Sequence, residues 1–208
     1  MRGRIEKNLL CLKPPKILVY FLLFGIIGWF FETTYVWLRF GRFTYRGYFF
    51  AQHPLEYYIT TLRNIPFISK IPVVLGMPFI EMYGLGGIIV VALFGHLEDR
   101  PVTLFMKSAV VMTLFELAGS YLCTEILHSQ YWNYSKDFMN FDGRIALLPS
   151  LAWGALSVIG ICLIKPRIDK LFSRIQGKRY LNASITALVT FIAFCAMYKY
   201  LIAPLISV

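Results

Sequence analysis

Residues 17–38, ILVYFLLFGIIGWFFETTYVWL, decide the fold. They hold a single charge, Glu32, in a run that measures about 33 Å as a helix at 1.5 Å per residue. A bilayer's hydrocarbon core is about 30 Å thick, so the run is long enough to span it. It exceeds the apolar core of a signal peptide, and no small-x-small cleavage site follows, so it reads as a retained first span. Four more runs of this kind place spans near 73–95, 103–127, 145–164 and 183–205.

The whole chain agrees. Of its 208 residues 58% are hydrophobic and 15% charged, and mean hydropathy is +0.62. Soluble domains carry about 25% charged residues, so the chain falls in the membrane class. The expectation is an all-α integral membrane helical bundle, one transmembrane domain over residues 1–208. The first connection, 39–72, is basic and aromatic, and its second half suits an interfacial amphipathic segment. The net charge of +10 comes from basic residues flanking the spans, which fits anionic headgroups and excludes nucleic acid as a partner. The tail, the second and fourth connections and the residues beside them hold 13 Lys and Arg, against 8 elsewhere. That bias puts the N-terminus in the cytoplasm of a cell whose plasma membrane the chain occupies. Cys11, Cys123, Cys162 and Cys195 show no paired spacing, which argues against disulfide or zinc roles.

Glu32, Glu81, Glu116 and Glu125 sit inside spans, where an ionised carboxylate costs about 2.5 kcal/mol or more unless it is satisfied. Alternating spans bring Glu32, Glu81, Glu125, His128 and Arg144 to one half of the bilayer, with Glu116 near its middle. By helical rise Glu32 is roughly 9 Å deep and Glu81 roughly 12 Å deep. Arg144 is the natural counter-charge, and a pair with Glu32 is expected. Gly25, Gly28, Glu32 and Tyr35 share one helical face, as do Glu116, Gly119, Ser120 and Cys123. Ser150, Trp153, Gly154 and Ser157 form a third stripe, and Gly84 to Gly87 reads as a narrow cavity wall. Glu125 and His128 make an ExxH spacing, a weak metal candidate because a di-metal bundle needs two such motifs. No nucleotide-binding, serine-hydrolase or zincin motif is present, and no cofactor is implied.

Several stretches carry a resemblance: Gly28-Trp29-Phe30-Phe31-Glu32, Arg46-Gly47, Tyr83-Gly84-Leu85-Gly86, Tyr131-Trp132-Asn133-Tyr134-Ser135 and Asn140-Phe141-Asp142-Gly143-Arg144-Ile145. With Glu116, Leu147, Ser150, Trp153 and Gly154 they resemble the bacterial ABC-transporter permease-like family called CmpB-like or type IV, over roughly residues 24–168. The block from Trp132 to Gly154 is its specific part. The chain departs from the family pattern at Met77 to Glu81, where a Gly-Pro-x-Cys-Pro run is usual, and at Asn133, where Asp is favoured.

The resemblance implies transport driven by a separate ATPase subunit. The leading expectation is a transport component whose intramembrane cluster binds a polar or cationic substrate or carries protons. Its lining is expected from Glu32, Glu81, Glu116 and Arg144 with Trp29, Tyr83, Trp132, Tyr134, Ser150 and Trp153. Five spans are few for a pathway, so a homo-oligomer or complex is expected. The alternatives are a membrane-embedded enzyme acting on a lipid-linked substrate and a membrane assembly scaffold.

Overall fold

A computed structural model describes residues 14–41, 43–54, 72–175 and 179–197. The first helix, α1, is Pro14–Phe40, 27 residues or about 40 Å of rise. Two prolines open it, where missing amide protons cost nothing, and Gly41 in a left-handed turn (φ 65°) closes it. Two antiparallel strands follow, β1 (Tyr48–Pro54) and β2 (Pro72–Met77), in register from Tyr48 opposite Met77 to Pro54 opposite Pro72 with a bulge between Phe49 and Ala51. The expected interfacial segment, in residues 55–71, lies outside the described residues.

Helix α2 is Glu81–Phe94, 14 residues. The expectation of a span from residue 73 is corrected here. Pro78 lacks an amide proton and cannot sit inside a helix without breaking it, while the preceding Val73 and Val74 suit a strand. The apolar run therefore divides into a strand and a helix of about 21 Å. Helix α3, Pro101–Tyr121, continues through a wide π-type turn at Leu122–Ile126. Helix α4 starts at Leu147–Val158, widens at Ile159–Ile164 and runs on as Lys165–Ile175. Helix α5 is Arg179–Met197. Among the described residues, α1, α3 and α4 are long and apolar enough to cross a membrane, and α2 and α5 are shorter apolar helices. The helical class holds, with the short strand pair added between α1 and α2.

The chain forms two compact units, one of residues 1–21 and 85–187, the other of 22–84 and 188–208. In the first, α3 and α4 pack as an antiparallel pair. Buried residues recur on α3 every fourth position, Leu104, Ser108, Met112, Glu116 and Ser120, a stripe that winds slowly round the helix. Facing residues are Trp153, Gly154, Ser157, Gly160 and Ile161. A methyl on Gly154 would lie 2.9 Å from the Phe105 ring, and one on Gly86 would lie 2.6 Å from the Met112 methyl. These glycines are contact points, so Gly86 takes a side chain against it where a cavity wall was expected.

In the second unit the small-residue face of α1 receives the start of α2. A methyl on Gly25 would fall 2.1 Å from the Phe79 ring and one on Gly28 2.2 Å from Tyr83. The Ile80 amide donates to the Gly25 carbonyl at 3.2 Å, so the glycines bring backbone against backbone.

Candidate functional site

In each unit a tyrosine hydroxyl donates to one of the expected carboxylates. In the second unit Tyr83 donates its hydroxyl to Glu32 Oε2 at 2.8 Å. Arg46, in the arm that follows α1, reaches Glu32 Oε1 at 3.4 Å. Glu32 keeps 23% of its side chain exposed and Arg46 33%, so this is a half-buried ion pair. The Trp29 ring packs on Tyr45 at 5.4 Å, and the Phe31 ring meets Tyr83 edge-on at 6.3 Å. Burial pushes the Tyr45 hydroxyl up to about 12. Gly47 is required by close approach, since a methyl there would sit 2.5 Å from the Met77 carbonyl.

In the first unit Glu116 is 4% exposed in the middle of the α3 stripe, and Tyr134 donates to its Oε1 at 3.0 Å. Tyr134 comes from the connection between α3 and α4, and that connection is built by its own polar side chains. Asn133 Oδ1 accepts the Ser135 amide at 2.8 Å. Asn140 donates to the Ser135 and Asp137 carbonyls and accepts the Gly143 amide. The Tyr134 amide donates to the Gly143 carbonyl at 2.7 Å, and Trp132 Nε1 donates to the Arg144 carbonyl at 2.9 Å. Gly143 has φ 64°, and a side chain there would crowd Asn133 Oδ1 at 3.0 Å. The motif residues Trp132, Asn133, Tyr134, Asn140 and Gly143 therefore fold one loop, whose products are the positions of Tyr134 and Arg144.

Arg144 docks on the last turns of α3. It donates to Ser120 Oγ at 3.1 Å and Thr124 Oγ1 at 2.9 Å, and its guanidinium lies 4.1 Å from the centre of the Tyr121 ring. Its ion pairs are with Asp142 at 2.8 Å and Glu125 at 4.0 Å. The hydrogen bond that it donates to Asp142 Oδ2 holds it charged, above the ordinary guanidinium value. The π-type turn at Leu122–Ile126 lies under this contact, at the place where Thr124 and Glu125 meet the guanidinium. Within its own unit Glu32 pairs with Arg46, and within the other Arg144 pairs with Asp142. The physical reason is local. Each arginine lies on a connection that folds back on the helix beside it, so the nearest opposite charge takes it.

Of the remaining expected residues, Glu81 opens α2 in its first turn, where a carboxylate favours the helix dipole. It therefore begins a helix, where a place eight residues inside one was expected. Ser150 donates to the Ala146 carbonyl at 2.8 Å and Trp153 is buried against α3 and Gly86. Glu125 is 71% exposed and turned to Arg144, while His128 is exposed at φ 47°.

Sequence reasoning missed one cluster. At the other end of the α3–α4 pair, Asp169 binds Lys16 at 2.8 Å and Lys165 at 3.3 Å and accepts the Tyr20 hydroxyl. Lys165 also reaches Glu98 at 3.7 Å. The i,i+4 spacing of Lys165 and Asp169 was the available signal.

These features define a helical membrane protein with carboxylates in its apolar interior. The family model described as "Putative ABC-transporter type IV" matches residues 19–199, and the chain belongs to that family. Comparison with curated proteins and with solved structures gave no match.

Proposed function

We propose that the protein is a transport component of a bacterial plasma membrane and that Glu116 is the group that takes a proton or a cationic substrate. One observation carries this reading. Glu116 is 4% exposed inside a helix long enough to span the bilayer, and its tyrosine partner comes from the connecting loop. A buried carboxylate is costly, and a hydroxyl donor offsets the cost without neutralising the charge. Protonation removes that cost, which suits Glu116 to taking up a proton. The loop that carries Tyr134 is pinned to α3 by Arg144, so an opening of that loop would expose Glu116 to water. Ser150, Trp153 and Trp132 complete the proposed lining in the first unit, and Glu32, Glu81, Trp29 and Tyr83 form a separate polar group in the second. A separate ATPase, suggested by the family's description, supplies the energy, and a homo-oligomer or complex supplies the rest of the pathway.

The test uses dicyclohexylcarbodiimide, an apolar reagent that attacks carboxyl groups in apolar surroundings as they take up a proton. On the full chain in proteoliposomes it is expected to modify Glu116, at a rate that falls as pH rises, and Glu116→Gln is expected to remove that labelling. Labelling confined to other carboxylates would overturn the assignment. The proposed orientation puts residues 129–143 outside the cell. Single cysteines there, in a cysteine-free variant of intact cells, are expected to react with impermeant maleimide, and reaction only after lysis would invert the topology.

A further inference from the structure

The end of α4 has an inner side whose charges are matched and an outer side whose charges are not. Leu147–Val158 and Ile159–Ile164 together rise about 27 Å, close to the thickness of a hydrocarbon core. Lys165–Ile175 therefore begins where the apolar layer ends. On its inner side Ile168 and Phe172 are buried, and Asp169 holds Lys16 and Lys165 and accepts the Tyr20 hydroxyl. Lys165 has Glu98 as well. Arg167, Lys170 and Arg174 stand at i, i+3 and i+7 on the outer side, all exposed, with the half-exposed Leu171 among them. None of these three cations has a carboxylate partner among the described residues. Lys170 and Arg174 are moreover an i,i+4 pair of like charges, which costs the helix stability unless an anion from outside offsets it.

We infer that Arg167, Lys170 and Arg174 form a binding site for the phosphate of an anionic membrane lipid. Position selects the lipid. Cα–Cβ bonds tilt toward a helix's N-terminus, which on α4 is the membrane side, so long side chains placed after Ile164 reach back toward the headgroups. Arg167 shows this lean, since its Nη1 donates to the Leu163 carbonyl one turn back at 2.5 Å. Among the described residues that carbonyl is the one acceptor these three side chains meet, out of five donors on each guanidinium and three on the ammonium. An acidic protein reaching the same face from the water would meet side chains turned away from it. A zwitterionic lipid carries its own cation beside its phosphate, so a lipid of net negative charge is the one that relieves Lys170 and Arg174. Leu171 adds an apolar contact at the same level. The ties of Asp169 hold the helix in one rotation about its axis, so little freedom is lost when the outer side binds.

The experiment uses the full chain in phosphatidylcholine nanodiscs with a trace of photoreactive lipid, either phosphatidylglycerol or phosphatidylcholine, each carrying the same diazirine next to its glycerol. After irradiation, adducts on residues 163–175 are expected at least about tenfold more often from the phosphatidylglycerol probe. A basic residue beside an anionic surface contributes about fivefold. Arg167→Gln, Lys170→Gln and Arg174→Gln are each expected to lower the ratio about that much, and the three together to bring the probes level. Lys136→Gln, which removes an exposed cation at the other end of the α3–α4 pair, is expected to leave the ratio unchanged. Thermal unfolding in the same nanodiscs identifies any variant that does not fold, and the ratio in the parent protein then decides alone. Equal yields from the two probes in the parent protein would overturn the inference. So would a preference that survives the triple substitution, or one that Lys136→Gln lowers as much as Arg167→Gln does. Absence of adducts on residues 163–175 from both probes would place this face in water, open to an acidic protein, and would overturn it too. None of these outcomes depends on Glu116.

Discussion

The two units use the same three residue types in opposite ways. In the second unit the guanidinium of Arg46 sits on the carboxylate of Glu32, with the Tyr83 hydroxyl completing the set. In the first unit they are separated. Arg144 is held by Asp142, Ser120 and Thr124, while Glu116 meets the hydroxyl of Tyr134 one helical turn deeper than Ser120. A joined pair is a fixed structural tie, because either partner alone would be left uncompensated. Glu116 is met by a neutral hydroxyl in an apolar seam, which on the proposed reading suits a group that takes up and releases a proton. On the proposed reading Glu32 holds the arm and Glu116 carries the chemistry.

The largest expected effect tests the seams beneath the two sites. Gly28→Leu drives a branched side chain into Tyr83, where even a methyl would lie at 2.2 Å, and is expected to cost about 3 kcal/mol or more in thermal or detergent unfolding. Gly154→Ala meets the Phe105 ring edge at 2.9 Å, which can yield, and is expected to cost about 1–3 kcal/mol. Equal losses would show that the two seams are not packed differently.

The next effect separates the carboxylates. Glu32→Gln leaves Arg46 without its counter-charge, and a loss of about 1–2 kcal/mol is expected, partly regained when Arg46→Gln is added. Glu116→Gln keeps an acceptor for Tyr134 and removes a desolvated charge, so its stability is expected within about 1 kcal/mol of the parent or above it. A Glu116→Gln variant that unfolds like Glu32→Gln would make both carboxylates structural.

The smallest effect concerns the hydroxyls. Tyr134→Phe is expected to cost about 1–2 kcal/mol, because Glu116 is nearly fully buried, and Tyr83→Phe about half that, because Glu32 is partly hydrated and has Arg46 as well. The reverse order would place the more dependent carboxylate in the second unit.

Much of this was legible from particular residues. The stripe Gly25, Gly28, Glu32 fixed which face of α1 meets its neighbour, and the Glu116 stripe fixed the packed face of α3, because helical spacing alone determines both. The partners of the arginines were not legible. Depth in the membrane places Arg144 near Glu32, but the Asn140 and Gly143 geometry of its loop turns it onto Ser120 and Thr124 instead. Nor was the strand pair, since an apolar run read by hydropathy gives no sign that Pro78 divides it. The Asp169 cluster joins Lys16 and Lys165, 149 residues apart, through a contact that spacing cannot reveal.

The central claim is that Glu116 and Glu32 differ in kind. It is tested most directly by dicyclohexylcarbodiimide labelling of both in one sample of the parent protein, resolved by peptide mass spectrometry. The account predicts modification at Glu116 that rises in Tyr134→Phe, with Glu32 protected by Arg46 until Arg46→Gln releases it. Preferential modification of Glu32 in the parent protein, with Glu116 inert, would contradict it.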